Sequence, residues 1–244
     1  MIALLAAVHE ETRLIRQSCQ NLHPVDKHGL EFWVGSFADV SICLAHTGVG
    51  KAAASAAATS LVLSFQPSAL WQFGCGGAYP CSGLRPGDLA LADLEIFGDE
   101  GVATASGFQS LAEMDLVMRQ TKAGPLFNAW PVNDPLTVWA EEPLRQHCAK
   151  RKKGFLKGPF LTVSCCTGTS ELARTRSSRA NVICENMEGA AVALACHQLG
   201  IPFLEFRGIS NLVEPRNTQN WDLAAGMVTA QKAVLALLGE YSEG

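Results

Sequence analysis

The chain opens on an unbroken apolar run, Ile2-Ala3-Leu4-Leu5-Ala6-Ala7-Val8, and turns acidic at Glu10-Glu11. A strand that alternates apolar and polar residues keeps one wet face. A strand apolar at every position has none, and such strands sit inside parallel sheets covered by helices on both sides. The run does not read as the apolar heart of a signal peptide, because no basic segment precedes it and two acids follow it closely. No apolar run in the sequence reads as long enough to cross a bilayer.

Beyond the strand at 2–7, strand-like runs occur at 31–37, 39–45, 69–73, 88–94, 160–164 and 203–209. Apolar spacing of three and four predicts helices at 10–19, 51–64, 141–150, 170–178, 187–199 and 222–238. Strands alternating with helices predict a mostly parallel sheet. The runs 31–37 and 39–45 stand too close for a crossover helix, so they form a hairpin and the sheet is mixed. Residues 98–143 carry Gly, Pro, Asn and scattered Trp without period, and read as long loops shaping a pocket or interface. The expectation is one α/β domain over 1–244, a mixed, twisted central sheet with helices on both faces.

Composition narrows the partners. Charged residues make up 17% of the chain and hydrophobic ones 48%, which suits a thick core. A net charge of −4 argues against nucleic acid and anionic membrane, both of which need a basic face. Nine cysteines without framework spacing read as free thiols in a reducing compartment, so the cytoplasm is the expected location. Neither Cys165-Cys166 nor the pair Cys75 and Cys81 has zinc spacing, and no metal or cofactor is expected.

Polar groups gather where open α/β sheets bind ligands, beyond the carboxyl ends of strands. Glu11 follows the first strand. Thr47-Gly48-Val49-Gly50-Lys51 joins a strand to a helix, and backbone amides at such a start suit an anion or a polar ligand edge. It is no phosphate-binding P-loop, since Ala52 rather than Ser or Thr follows Lys51. Gly74-Cys75-Gly76-Gly77 ends another strand, where small residues let a ligand approach the backbone. No ribose-binding acid ends that strand, which argues against a dinucleotide site. Glu185-Asn186-Met187-Glu188-Gly189 opens an apolar helix with a carboxylate. Arg207-Gly208-Ile209-Ser210-Asn211 ends a buried strand with an arginine and a carboxamide. The set points to sugar and base chemistry.

In their order, these motifs resemble the nucleoside phosphorylase and nucleosidase superfamily, and within it the purine nucleosidase branch. The resemblance spans the early glutamate turn, the turn at 48–50, the strand end at 74–77, Gly87-Asp88-Leu89, Met187-Glu188 and the strand end at 207–211. Segments 76–80, 185–191 and 207–213 look most like the futalosine hydrolases, nucleosidases of an alternative menaquinone pathway. The resemblance implies that Glu11 activates water, Met187 and Glu188 hold the ribose, Arg207 positions the water, and Asn211, beside Ser210, contacts N7 of the base. Gly48, Cys75, Gly76 and Gly77 are expected against the ligand. Cys75 stands where adenine-type nucleosidases carry serine, and its thiol is a poor partner for water. Self-association into a homodimer or larger assembly is implied too.

The chemistry fits such groups. Breaking an N-glycosidic bond passes through a cationic sugar. Water below C1′ needs a base, whose help is typically worth about 10²–10⁴ in rate. An ionised carboxylate suits the ribose hydroxyls and the developing cation. The departing purine needs a donor at N7. An amide offers two N–H donors, matching the acceptors N7 and O6 of hypoxanthine, whereas a carboxylic acid matches the acceptor and donor of adenine. Asn211 therefore predicts a 6-oxopurine nucleoside, and among these the resemblance puts futalosine foremost. Phe97, Phe108, Phe127, Trp130 and Trp139 are candidates for walls around an aryl tail, with Phe108 and Trp130 taken as binding residues.

Each residue also has a plain structural reading. Glu11 suits any helix N-terminus, and Asn211 suits a strand-end turn. Glu205 and Arg207 share one strand face and can pair structurally. The aromatics can pack as core. Adenine-specific hydrolysis, phosphorolysis and nucleoside binding without turnover stay open as alternative functions.

Overall fold

The computed structural model describes residues 1–132, 134–215 and 217–241. The first half contains β1 (Ile2–Ala6), α1 (Arg13–Ser18), β2 (Gln20–Lys27), β3 (Leu30–Phe37), β4 (Val40–His46), α2 (Lys51–Phe65), β5 (Ala69–Ala78) and β6 (Leu89–Phe97). Short strands follow: β7 (Gly101–Thr104), β8 (Gly107–Ser110), β9 (Arg119–Thr121), β10 (Gly124–Leu126) and β11 (Ala129–Pro131). The rest is α3 (Pro135–Lys150), β12 (Phe155–Thr162), α4 (Ser170–Ala180), β13 (Cys184–Asn186), α5 (Gly189–Leu199), β14 (Phe203–Leu212) and α6 (Leu223–Glu240).

β1 is buried at every position and pairs in parallel with β4 on one side and β5 on the other. That is the place an all-apolar strand requires. Beyond β4 the sheet continues antiparallel through β3 to β2. On the other side it closes on itself: β5 pairs with β14, β14 with β6, β6 with β12, β12 with β13, and β13 with β5. Ala78, Ala90, Ala92, Phe160, Cys184 and Ile209, drawn from each strand of this ring, fill its interior. α1, α3 and α6 pack on one face of the sheet, and α2 and α5 on the other. α6 lies hard against β14, because a Cβ on Gly208 would stand 2.0 Å from the Gly226 carbonyl oxygen.

The expected fold class is the one observed: α/β, with a mixed sheet and helices on both faces. Several element boundaries differ, each for a local reason. The stretch 10–19 begins as a 3₁₀ turn, His9–Thr12, before α1. β2 is mostly exposed and polar, and β13 has three residues, so neither carries a readable period. Residues 98–143 are not loop throughout. They form the hairpins β7–β8 and β9–β10, the strand β11 and the start of α3. Asp134 caps α3 by accepting from the Thr137 amide, and Pro135 starts it. Contrary to expectation, α6 is long and apolar enough to cross a membrane, but Ala230, Ala233, Val234 and Leu237 on it are buried in the core. Of the expected domain, residues 133, 216 and 242–244 lie outside the described ones.

Candidate active site

The carboxyl ends of β1, β5 and β14 meet β13 and the turn after β4 around a cleft of about 370 Å³. Glu11, Cys75, Gly76, Gly77, Met187, Glu188, Arg207, Ser210 and Asn211 all line it. Sequence positions spread over two hundred residues are thus gathered by strand ends alone, as the doubly covered sheet directs.

Glu11 folds back over the end of its own strand. One carboxylate oxygen, Oε2, accepts from the amides of Ala7 at 3.0 Å and Val8 at 3.3 Å. The other, Oε1, accepts from the Cys75 amide on β5 at 2.7 Å. Gly74 makes that approach possible: its φ is +153°, and a Cβ there would stand 2.6 Å from Glu11 Oε1. Burial pushes the Glu11 carboxyl above its ordinary value, against the pull of the Cys75 amide and Arg207. Burial, with Glu11 beside it, pushes the Cys75 thiol up to about 12, so the thiol stays neutral.

Glu188 stands at the entry to α5 without capping it, and its Oε1 accepts from the Gly50 amide at 3.0 Å. The glycine turn therefore holds a carboxylate of the protein itself. Gly48 shapes that turn at φ +74°, its amide donating to the Ala7 carbonyl, and it does not line the cleft. Arg207 lies beneath, 1% exposed. Its Nη1 is 3.3 Å from Glu188 Oε2 and 3.4 Å from the Cys75 carbonyl, and its Nε donates to Glu205 Oε1 at 2.8 Å. Burial works against the guanidinium charge, yet Glu205, Glu188 and Glu11 hold its pKa above the ordinary value. The structural pair with Glu205 and the place in the cleft are both real.

The other end of the cleft presents the neutral Ser210 and Asn211, with Glu185, paired with Arg176, at its rim. The Ser210 hydroxyl lies 2.7 Å from Asn211 Oδ1 and 3.2 Å from the Gly76 carbonyl. Asn211 Nδ2 donates to the Leu212 carbonyl at 2.9 Å, which fixes the nitrogen end of the amide and leaves one N–H. Gly77 leaves room here, since a Cβ would stand 3.2 Å from that Nδ2. Glu185, at the rim, is taken up by the Thr167 amide at 2.8 Å, the Tyr79 hydroxyl at 2.8 Å and Arg176 at 3.4 Å.

Two expected wall residues lie elsewhere. Trp130 is 1% exposed and packs edge-on to His197 in the core beneath α5. Phe108, on β8, sits under the Arg179 guanidinium, 4.6 Å from ring centroid to carbon, beside a separate cavity of about 440 Å³. Aromatic character marks residues that need burial but does not say which cavity receives them. Sequence reasoning passed over Glu95, Thr162 and Asn186, which form a buried network behind Glu188. The one available signal is a glutamate directly after the strand run 88–94, inside what proves to be β6.

With this geometry established, comparison with known proteins assigns the family. Residues 1–241 match the phosphorylase superfamily. The chain belongs to that superfamily. A 5′-methylthioadenosine/S-adenosylhomocysteine nucleosidase of Pseudoalteromonas translucida is 27% identical over 246 residues, covering 97% of this chain and 96% of the relative. The crystal structure of such a nucleosidase from Neisseria meningitidis, complexed with methylthio-immucillin-A, has a TM-score of 0.83 at 21% identity, covering 98% of this chain and 99% of that one. The native futalosine hydrolase of Helicobacter pylori has a TM-score of 0.82 at 19% identity, covering 98% and 97%. At these identities the structural likenesses show a shared fold. The superfamily expected from the motifs is the one found, and the matched relatives are enzymes that cleave N-glycosidic bonds.

Proposed function

We propose that this chain is a nucleosidase that hydrolyses the N-glycosidic bond of a 6-oxopurine nucleoside, futalosine foremost, and releases hypoxanthine. The convergence of Glu11, Glu188 and Asn211 on one cleft carries the reading. Glu11 takes the proton of water attacking C1′. Glu188 accepts from the ribose hydroxyls, and its charge balances the cationic sugar. Asn211 donates its remaining N–H to N7. A second donor toward O6 requires the Leu212 contact to open. An amide releases no proton, and a 6-oxopurine departs with its charge spread onto O6, so a donor alone can serve it.

Water as the attacking group is supported by the fate of the arginine. Arg207 is the arginine that lines the cleft among the described residues, and Glu205 and Glu188 already engage it. Phosphorolysis needs cations left for phosphate. A second reading, an adenine-releasing nucleosidase, is favoured by the relative at 27% identity. We further propose a homodimer or larger homo-oligomer, in keeping with the resemblance, in the cytoplasm, in keeping with the free thiols.

The test is release of base from futalosine, inosine and methylthioadenosine, with and without phosphate. Hypoxanthine and free sugar are expected, independent of phosphate. Sugar phosphate, or adenine released as efficiently as hypoxanthine, overturns the reading. Asn211→Asp is expected to shift preference toward adenine nucleosides by about tenfold or more, as exchanged hydrogen-bonding patterns do at a base edge.

A further inference from the structure

Behind Arg207, two more carboxyls meet in the interior. Glu95 on β6 and Glu205 on β14 are both 0% exposed. They converge over Gly189, where a Cβ would stand 2.2 Å from Glu95 Oε1 and 2.4 Å from Glu205 Oε2. Glu205 Oε1 receives Arg207 Nε. Arg207 Nη2 lies 2.8 Å from the same oxygen, a charge contact outside hydrogen-bonding geometry. Glu205 Oε2 has no donor as long as both carboxyls are ionised.

The donor is found by following protons. Asn186 Nδ2 donates to Glu95 Oε1 at 2.8 Å. Thr162 Oγ1 accepts from the Ala190 amide and has one proton to give, with Glu95 Oε2 at 2.6 Å and Asn186 Oδ1 at 2.9 Å as the choices. Asn186 Oδ1 already accepts from the amides of Glu188 at 3.0 Å and Gly189 at 2.7 Å. The threonine proton therefore goes to Glu95 Oε2. One acceptor is left over, Glu205 Oε2, and the carboxyl facing it is Glu95.

We propose that Glu95 keeps its proton at neutral pH and donates it from Oε1 to Glu205 Oε2, so that a neutral acid braces the anion that holds Arg207 against Glu188. An unshared second charge at this depth would face the first across a low dielectric. The surroundings agree. Burial first, then Glu205, pushes Glu95 well above the ordinary carboxylate range. Burial also pushes up the thiols that face the pair, Cys184 from β13 and Cys196 from α5, which therefore stay neutral. Glu188 and Arg207 complete the charged neighbours. Glu95 and Glu205 are positioning residues, and their bearing on turnover rests on the nucleosidase reading. The shared proton does not.

Glu95→Gln replaces the O–H donor by an N–H donor of the same shape. In the wild type, the folded chain binds a proton that the unfolded chain releases above about pH 4.3. Stability conferred at this site therefore falls as pH rises. Denaturant unfolding of both proteins from pH 5 upward is expected to show the wild-type unfolding constant rising relative to that of Glu95→Gln by about tenfold per pH unit, until Glu95 ionises in the folded state. A ratio independent of pH overturns the proposal. Should the variant not fold, a neutron structure of the wild type at neutral pD decides: a deuteron between Glu95 and Glu205 is expected, and its absence is fatal. For the positioning role, Glu95→Ala is expected to lose at least tenfold in kcat and Glu95→Gln to restore it. Equal loss in both overturns that role, whereas a wild type without turnover overturns the nucleosidase reading and leaves the shared proton standing.

Discussion

The two ends of the cleft are built from opposite materials. At the end proposed to hold the sugar, Glu11, Glu188 and Arg207 are charged and almost wholly buried. At the end proposed to hold the base, Ser210 and Asn211 are neutral and hold each other and nearby carbonyls. Buried charge is costly unless paired. At the first end the fold meets that cost with backbone amides from Ala7, Val8, Gly50 and Cys75 and one guanidinium; at the other, the rim carboxylate of Glu185 is met by Arg176, Tyr79 and Thr167. In the proposed reaction a cation develops at the first end, and fixed negative charge there favours it. An anion leaves from the other end, where unpaired negative charge would oppose departure and the one carboxylate, Glu185, is paired with Arg176. The contrast between the ends is therefore the feature to break first.

Glu11→Gln breaks it most directly. The variant is expected to lose about 10²–10⁴ in kcat, the usual worth of a general base, with the Kd of a nucleoside analogue little changed by calorimetry. The wild-type pH profile sharpens the point. Burial raises the Glu11 carboxyl, and in the proposed reaction its ionised form is the active one. Activity should fall with decreasing pH, with a midpoint above the ordinary glutamate value of about 4.3. An acid limb at or below that value would contradict the buried-base assignment.

Arg207→Met comes next. Removing one partner of a buried ion pair costs about 3–5 kcal/mol, and here the carboxyls of Glu188 and Glu205 lose their common cation. Denaturant titration is expected to show that loss at neutral pH. The loss should shrink as pH falls, because the stranded carboxyls can then take protons. A loss below about 1 kcal/mol, typical of surface pairs, would mean the cluster is more hydrated than its burial indicates.

What was legible in the sequence follows the same contrast. β1 announced its place by having no polar position, and the glycine turns announced strand ends because they tolerate few substitutes. Glu11, Glu188, Arg207 and Asn211 stood beside such punctuation, so their meeting could be anticipated. β13 is too short for a period, and β2 too polar. Phe108 and Trp130 misled because an aromatic ring is buried in many kinds of place. Glu95 was illegible for a deeper reason. Its partners, Thr162, Asn186 and Glu205, come from three other strands, and only the closed ring brings them together.

Gly189→Ala probes that hidden support with a single methyl group. The new Cβ would intrude on both Glu95 Oε1 and Glu205 Oε2, and neither carboxyl can swing away without abandoning Asn186, Thr162 or Arg207. Gly189 is the first residue of α5, so alanine gains at most part of the advantage, about 1 kcal/mol, that it has over glycine in a helix interior. Overpacking of a filled interior costs about 1–3 kcal/mol and should win. Gly168→Ala is the control, because a Cβ there meets nothing within 4 Å, and its effect should stay within about 0.5 kcal/mol. If the two substitutions prove equally mild, the acid pair has room to move, and the rigid brace beneath Arg207 is wrong.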